Sequence, residues 1–278
     1  MADKKMVNDE FEKMLTTTYR LRIWSRFVKG LKEYNMLKHG DKVCVCISGG
    51  KDSMLLAKLF MLLRKHSDFD FDAEFVVMDP GYNKKNLDLI KKNLKTLHIP
   101  AKIRKTNIFE VASVQEKSPC FLCARMRRGA LYNIAKDLGC NKITLGHHYD
   151  DVITTTLMNM LSSGSFQTML PKLHSTNFEG MELIRPMYFI REKDIICWQK
   201  RCNLTFIRCA CKLTEGLETD ELESRRAYIK ELIYKLAEDI PQVEQNIFKS
   251  AENVTLDMIL GYKDKGIKHS FLDDYDKE

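Results

Sequence analysis

Ser48-Gly49-Gly50-Lys51-Asp52-Ser53 follows directly on the apolar run Val43-Cys44-Val45-Cys46-Ile47. A short buried strand that runs into a glycine turn and then a helix makes a phosphate site. The glycines let backbone N–H groups face an anion with no Cβ in the way. The helix that follows, from Ser53 to about Leu63, aims its positive end at the same spot. The kinase and GTPase loop, with four residues between Gly and Gly-Lys-Ser/Thr, is a different construction. Here two adjacent glycines precede Lys-Asp-Ser.

Cysteines supply the second constellation. Pro119-Cys120-Phe121-Leu122-Cys123 opens a long helix. Residues three apart share a helical face, and a place in the first turn favours thiolates. Arg125, Arg127 and Arg128 add positive charge at once. Two thiolates do not complete a metal site. Cys209 and Cys211 are the other closely spaced pair outside the first strand. Two ligands plus one suit an iron–sulfur cluster with one iron left open. Zinc, with three or four ligands, and a redox dithiol at Cys120/Cys123 are the alternatives. Cys44 and Cys46 alternate with Val43, Val45 and Ile47 and read as core. Cys140, Cys197 and Cys202 stand singly and read as structural.

The chain of 278 residues is long enough for one large α/β domain with additions, or for two domains. Apolar residues make up 44% and charged residues 30%, which excludes global disorder. No run approaches the roughly 20 apolar residues of a membrane span, and Met-Ala-Asp-Lys-Lys leads into no apolar signal region. The expectation is a cytoplasmic protein with no membrane partner. Nine cysteines in a protein of this size point to metal or sulfur chemistry rather than a disulfide scaffold. The net charge of +7 hides an asymmetry: residues 213–278 carry −7 and residues 1–212 carry +14. A basic body suits a polyanion.

The elements that must position these groups alternate. Residues 11–37 read as one helix, with apolar Phe11, Leu15, Ile23, Phe27, Leu31 and Tyr34, and with Lys13, Arg20, Arg22, Arg26, Lys29 and Lys32 on its polar side. Strands are expected near 42–47, 71–78, 101–106 and 142–146, with helices near 84–97, 120–138 and 150–161. A loop and hairpin cover 164–187, with a turn at 177–180. A helix (192–202), a short strand (204–208) and C-terminal helices (219–262) follow, and the last dozen residues read as frayed. This order predicts a doubly wound parallel sheet with helices on both faces. The expected divisions are an N-terminal helical segment (1–37), a nucleotide domain (38–211) and a C-terminal helical extension with tail (212–278). In such sheets ligands bind beyond the carboxyl ends of the strands. The 48–53 loop, Asp79 and Gly146-His147-His148 all fall there.

Four runs together resemble the tRNA 2-thiocytidine biosynthesis family of PP-loop ATP pyrophosphatases. They are the 48–53 loop, Cys120-x-x-Cys123-Ala124-Arg125-Met126-Arg127-Arg128-Gly129, Leu145-Gly146-His147-His148-Tyr149-Asp150-Asp151, and Ile184-Arg185-Pro186 followed by Arg191-Glu192-Lys193-Asp194. The similarity covers roughly residues 18–211 in order. The resemblance implies an enzyme that binds ATP with Mg2+ at the loop and adenylates the C2 oxygen of a cytidine in the tRNA anticodon loop. Sulfur then replaces that oxygen, and AMP leaves. It implies a [4Fe-4S] cluster on Cys120, Cys123 and Cys209 that presents sulfide on its open iron, a sulfur donor, and a homodimer. ATP would be held by Ser48, Gly49, Gly50, Lys51, Asp52, Ser53, Met78, Gly146 and Asp151. Asp151, Arg127 and Asp52 would stand nearest the chemistry, Asp52 orienting the loop or holding the metal. The family usually shows Pro-Cys-x-x-Cys at the third ligand, whereas this chain has Arg208-Cys209-Ala210-Cys211. Alignment on the preceding strand picks Cys209 over Cys211.

A pyrimidine C2 carbonyl is a poor electrophile with a poor leaving group, and transfer of AMP corrects both. Loop N–H groups and Mg2+ would stabilise charge developing on pyrophosphate. Phosphate contacts from the 11–37 helix and from Arg125/Arg128 would position the RNA. His147 and His148 are proton donors, hydrogen-bond partners or loop braces. The alternatives are a tRNA 2-thiouridine synthetase of the same superfamily and a non-catalytic RNA-binding protein that carries cluster and ATP.

Overall fold

The computed structural model describes residues 10–113, 119–207, 221–273 and Tyr275. They form two compact units: one within Met1–Val152 and Met169–Arg225, the other within Ile153–Thr168 and Arg226–Glu278.

The first unit is built on a six-stranded sheet in the order β3-β2-β1-β4-β6-β5. Its strands are β1 (Lys42–Ile47), β2 (Asp72–Asp79), β3 (Lys102–Lys105), β4 (Lys142–Thr144), β5 (Lys172–His174) and β6 (Glu182–Ile184). Five strands are parallel. Only the edge strand β5 runs antiparallel, pairing Leu173 with Leu183 of β6. The expected hairpin turn is closed by Gly180 at φ +75°. β1 lies at the centre, and Val43 to Ile47 are all buried. That explains an unbroken apolar run where a half-exposed strand would alternate.

Helix α3 (Lys51–His66) follows β1 and is buried on nearly every side, from Met54 through Leu63. It packs on β1 and is covered by α1 (Glu10–Thr16) and α8 (Glu192–Arg201). Phe27, Phe60 and Trp198 are fully buried in this layer, each worth about 1.5–3 kcal/mol of transfer free energy. Fully buried Lys58 on α3 has its Nζ 3.2 Å from Glu12 Oε1, and Lys65 reaches the other oxygen of the same carboxylate. This pair fixes α1 to α3.

Residues 11–37 are not one helix. α1 ends at Thr16, a wider turn covers Arg20–Trp24, and α2 runs Ser25–Glu33. Three successive threonines cause the break. Thr16 and Thr17 turn their hydroxyls back onto the Lys13 carbonyl at 3.1 and 2.8 Å, which competes with the helical ladder. Tyr19 N then bonds the Met14 carbonyl, five residues back.

The remaining helices of this unit are α4 (Lys84–Thr96), α5 (Ile108–Ser113) and α6 (Pro119–Asp137), with α7 (Tyr149–Ser163) starting in it. Gly139, at φ +68°, terminates α6 as its position predicts: Cys140 N bonds the Ala135 carbonyl. The strand expected over 204–208 is not formed in its described part. Residues 204–207 are extended chain without a ladder. Asn93 Nδ2 donates to the Thr205 carbonyl at 2.8 Å, and Phe206 stacks on Trp198.

The second unit contains the rest of α7, α9 (Glu221–Asp239, from Arg226 on), α10 (Val243–Ser250) and a two-stranded hairpin, β7 (Gly261–Asp264) with β8 (Ile267–Ser270). The C-terminal α-helices therefore stop at Ser250, and only a single 3-10 turn at Leu256–Met258 follows before the expected 262. A tail read as frayed is partly a hairpin turning at Lys265-Gly266, both at positive φ. Gly266 supplies the backbone freedom such a turn demands.

Candidate active site

The 48–53 loop lies at the carboxyl end of the central strand, between β1 and α3. Gly49 takes φ +88°, and a Cβ there would come within 2.8 Å of Ile90 and Ile207 side-chain atoms. Gly50 is the N-cap of α3 and brings no side-chain cap. The loop is held instead by side-chain bonds of its own. Ser53 Oγ donates to the Gly50 carbonyl at 2.9 Å and receives Ser48 N and Ser48 Oγ, both at 3.1 Å. Tyr82 braces the loop from outside, its hydroxyl donating to the Ser48 carbonyl at 3.1 Å. Tyr82 is held in turn by Asp79, whose Oδ1 accepts from Gly81 N and Tyr82 N. Asp79 therefore shapes a turn.

Beside the loop is a cavity of about 410 Å3. Ser48, Asp52, Ser53, Met78, Arg127, Gly146 and Asp151 line it together. Residues from β1, β2, α6, α3, the β4 end and α7 thus converge, as expected of the crevice beyond a parallel sheet. Gly146 is required by close approach. A Cβ there would lie 3.1 Å from the backbone atoms Asp52 C and Ser53 N, which would have to shift by a few tenths of an ångström.

Lys51 holds its side chain on Glu192 (3.0 Å) and on the cavity-lining Asp52 (3.2 Å). Burial lowers its pKa, but Asp52 and Glu192 outweigh that, and the net shift is upward. Asp52 moves up as well, chiefly by burial, against the pull of His148 and Lys51. The two shifts differ in meaning. Lys51 has two carboxylates for one charge, while Asp52 has Asp151 as a like-charged neighbour. Buried His148 sits within 4.0 Å of Asp52, Asp150, Asp151 and Glu192, and its backbone N donates to Asp151 Oδ2 at 3.1 Å. Asp150 anchors the start of α8 by accepting from Glu192 N at 2.7 Å and from Arg191 at 3.3 Å. His148 therefore braces a carboxylate cluster.

Cys123 is buried on α6, next to the cavity-lining Ala124, and with Arg127 lies within electrostatic reach of the Tyr82 hydroxyl. Cys120 is in the first turn of α6; its side chain lies outside the described residues, as do Cys209 and Cys211. The chain that leads to Cys209 is described up to Ile207, which packs on Gly49 of the loop. Cys44, Cys46 and Cys140 are core. Cys197, expected to be structural, is exposed.

The PP-loop domain model matches residues 22–214. Curated relatives include the tRNA-cytidine(32) 2-sulfurtransferases of Pelobacter propionicus, 33% identical over 81% of this chain and 83% of the relative, and of Ralstonia pickettii, 33% identical over 84% and 73%. This chain belongs to the PP-loop family, among the tRNA-cytidine(32) 2-sulfurtransferases. A solved U34-tRNA thiolase from Methanococcus maripaludis with its [4Fe-4S] cluster has the same fold, with a TM-score of 0.63, 21% identity, and coverage of 82% of this chain and 76% of that one. No helix among the described residues is long and apolar enough to cross a membrane.

Within the PP-loop family frame, four residues here carry weight that motif reading missed. Tyr82 braces the loop and Glu192 pairs with its lysine. Tyr132 lines the cavity and stacks on Phe178 at 4.8 Å. Arg185 follows β6; burial, with help from Arg128, lowers its pKa to about 10. Glu192 and Arg185 lie inside runs that carried the resemblance, so their types were visible while their contacts were not. The basic side of the N-terminal segment is partly engaged. Arg22 and Arg26 face Asp194 at 4.0 and 3.4 Å, and Lys29 sits over Phe189.

Proposed function

We propose that this protein is an ATP-dependent tRNA sulfurtransferase that adenylates the C2 oxygen of an anticodon-loop cytidine and replaces that oxygen with sulfur. The observation that carries this reading is the shared cavity: the phosphate loop, Arg127, Asp151 and the α6 segment bearing Cys123 border one space.

ATP fits this site. The loop offers glycine backbone and an uncapped helix start to the β- and γ-phosphates. Met78 flanks the side where the nucleoside would lie. Mg2+ is ordinarily held by one or two carboxylates together with substrate phosphates. Asp52 and Asp151, two carboxylates that line the cavity together, fit that role. Loop N–H groups and Lys51 would stabilise charge on the departing pyrophosphate. Arg127 would stand against the α-phosphate as AMP passes to the C2 oxygen.

Cys120, Cys123 and Cys209 would hold a [4Fe-4S] cluster. The fit is supported by the buried Cys123 thiol near Tyr82 and by Ile207 lying against Gly49. When bound, the cluster would supply the sulfur, delivered by a donor or as sulfide, to the activated carbon. The working form would be a cytoplasmic homodimer, where tRNA and a reducing milieu coexist.

The test is genetic and chemical. Deletion should remove 2-thiocytidine from tRNA by mass spectrometry of nucleosides. Wild type should restore it, and Cys120→Ala should not. Restoration of 2-thiouridine instead would move the protein to the other acceptor. AMP and pyrophosphate that fail to form with tRNA and sulfide would refute enzymatic adenylation.

A further inference from the structure

We propose that a cleft at the carboxyl end of α3 is a second RNA contact, a track for an unpaired stretch of the substrate's strand; this rests on the thiolase reading. The cleft encloses about 710 Å3 between the N-terminal segment and the end of α3 with the chain that follows it. His66, which lines it, is the last residue of α3, whereas the phosphate loop opens at the other end of that helix. The 16 residues of α3 separate the two, about 24 Å at roughly 1.5 Å per residue. The cleft is therefore no part of the catalytic cavity.

Arg20, Trp24, Val28 and Lys32 recur every fourth position along the N-terminal segment, and all four line the cleft. The half-buried Trp24 ring packs on Phe27 at 5.8 Å and meets His66 edge-on at 6.4 Å. Exposed Phe69 adds a second aromatic ring to the wall. Arg20 and Lys32 are exposed, and neither joins an ion pair among the described residues. By contrast, Arg22 and Arg26 face Asp194, and Lys29 is held by Glu33 and Phe189. Asp68 is the one carboxylate among the described residues of the lining, so the cleft keeps a positive balance.

The spacing of the two cations specifies the occupant. Arg20 and Lys32 stand 12 positions apart, about 18 Å along a helical path. One phosphate does not bridge that span, and a free nucleotide or inorganic anion would engage one end only. A strand with a phosphate at each end and bases between them engages both. Cations that track a backbone, with an aromatic ring between them for a base to lie on, are the two parts of a single-strand site. An acidic protein segment matches the cations alone, whereas RNA supplies the charge repeat and the planar group together.

The experiment uses the full-length, cluster-loaded protein under anaerobic conditions, with an unmodified tRNA transcript as the probe. The chain has two tryptophans, and Trp198 is fully buried, so quenching of indole emission reports Trp24. The tRNA should quench it, and ATP alone should not. Fluorescence anisotropy across a salt series gives tRNA affinity. Arg20→Gln and Lys32→Gln should each reduce the salt slope by about one. Trp24→Leu should weaken binding about tenfold at unchanged slope, because it removes stacking and no charge. Equilibrium dialysis should give wild-type ATP affinity in all three variants. Should Trp24→Leu lower Tm, the exposed Arg20 and Lys32 variants carry the test. A wild-type slope in both charge variants, or quenching by polyglutamate equal to that by tRNA, overturns the RNA track. Wild-type protein that binds no tRNA overturns the thiolase reading with it.

Discussion

Lys51 Nζ lies 3.0 Å from Glu192 Oε1, although 141 residues separate them. The contact joins the phosphate loop to the first turn of α8, whose start is itself pinned by Asp150 through Glu192 N. Lys51 of the loop, Asp150 at the start of α7 and Glu192 at the start of α8 are thus tied together. Holding a lysine on two carboxylates keeps it charged and pointed before any nucleotide arrives.

Glu192→Gln leaves Lys51 with Asp52 alone. Loss of one charge-assisted bond of about 1–2 kcal/mol should raise KM for ATP about tenfold, with a smaller change in kcat. Steady-state AMP formation at saturating tRNA measures it. A KM for ATP equal to wild type would show that the pair does not position the lysine.

Asp52 gives a pH signature. Its carboxyl titrates near 3.8 when unfolded and higher in the fold, because burial outweighs His148 and Lys51. Between those values the folded state holds the extra proton. Stability therefore falls as pH rises through the window and remains reduced above it. Asp52→Asn should raise Tm near neutral pH and flatten this acid-range slope, while turnover drops by about 100-fold or more. Calorimetry from the acid range to neutrality decides it; a lowered Tm at neutral pH contradicts the sign.

Gly146→Ala should damage the site from outside it. The new methyl would meet Asp52 and Ser53 backbone at 3.1 Å. Overpacking costs about 1–3 kcal/mol and would displace the start of α3. Expected are a lowered Tm and ATP binding weakened about tenfold or more. Calorimetric titration with an ATP analogue checks the second point.

Cysteine variants should separate by place. Cys123→Ser, buried near Tyr82, should abolish 2-thiocytidine formation and the iron–sulfide absorption of anaerobically purified protein. Cys197→Ser, on the exposed face of α8, should leave both unchanged. Equal losses in the two variants would detach Cys123 from the cluster.

Much of the fold was legible. β1, α3, α4 and α6 stand within a few residues of their expected places, because apolar runs and glycine stops are local signals. The break after Thr16 was missed because hydroxyl-to-carbonyl bonds compete with a helix whose apolar spacing continues across them. The 204–208 segment has a strand's composition, but residues 204–207 spend their bonding on Asn93 and their packing on Trp198 instead of a ladder. The 261–270 hairpin was hidden by exposed, charge-rich strands with no buried face to create alternation.

By itself the sequence determined which groups exist and their local geometry: a glycine turn ahead of a helix, two cysteines on one helical face, a parallel sheet whose strand ends gather ligands. Only the tertiary structure decided what meets what. Lys51 with Glu192 and Tyr82 with Ser48 are encounters between distant segments. Strand order and packing set such distances, and one-dimensional spacing carries no record of them.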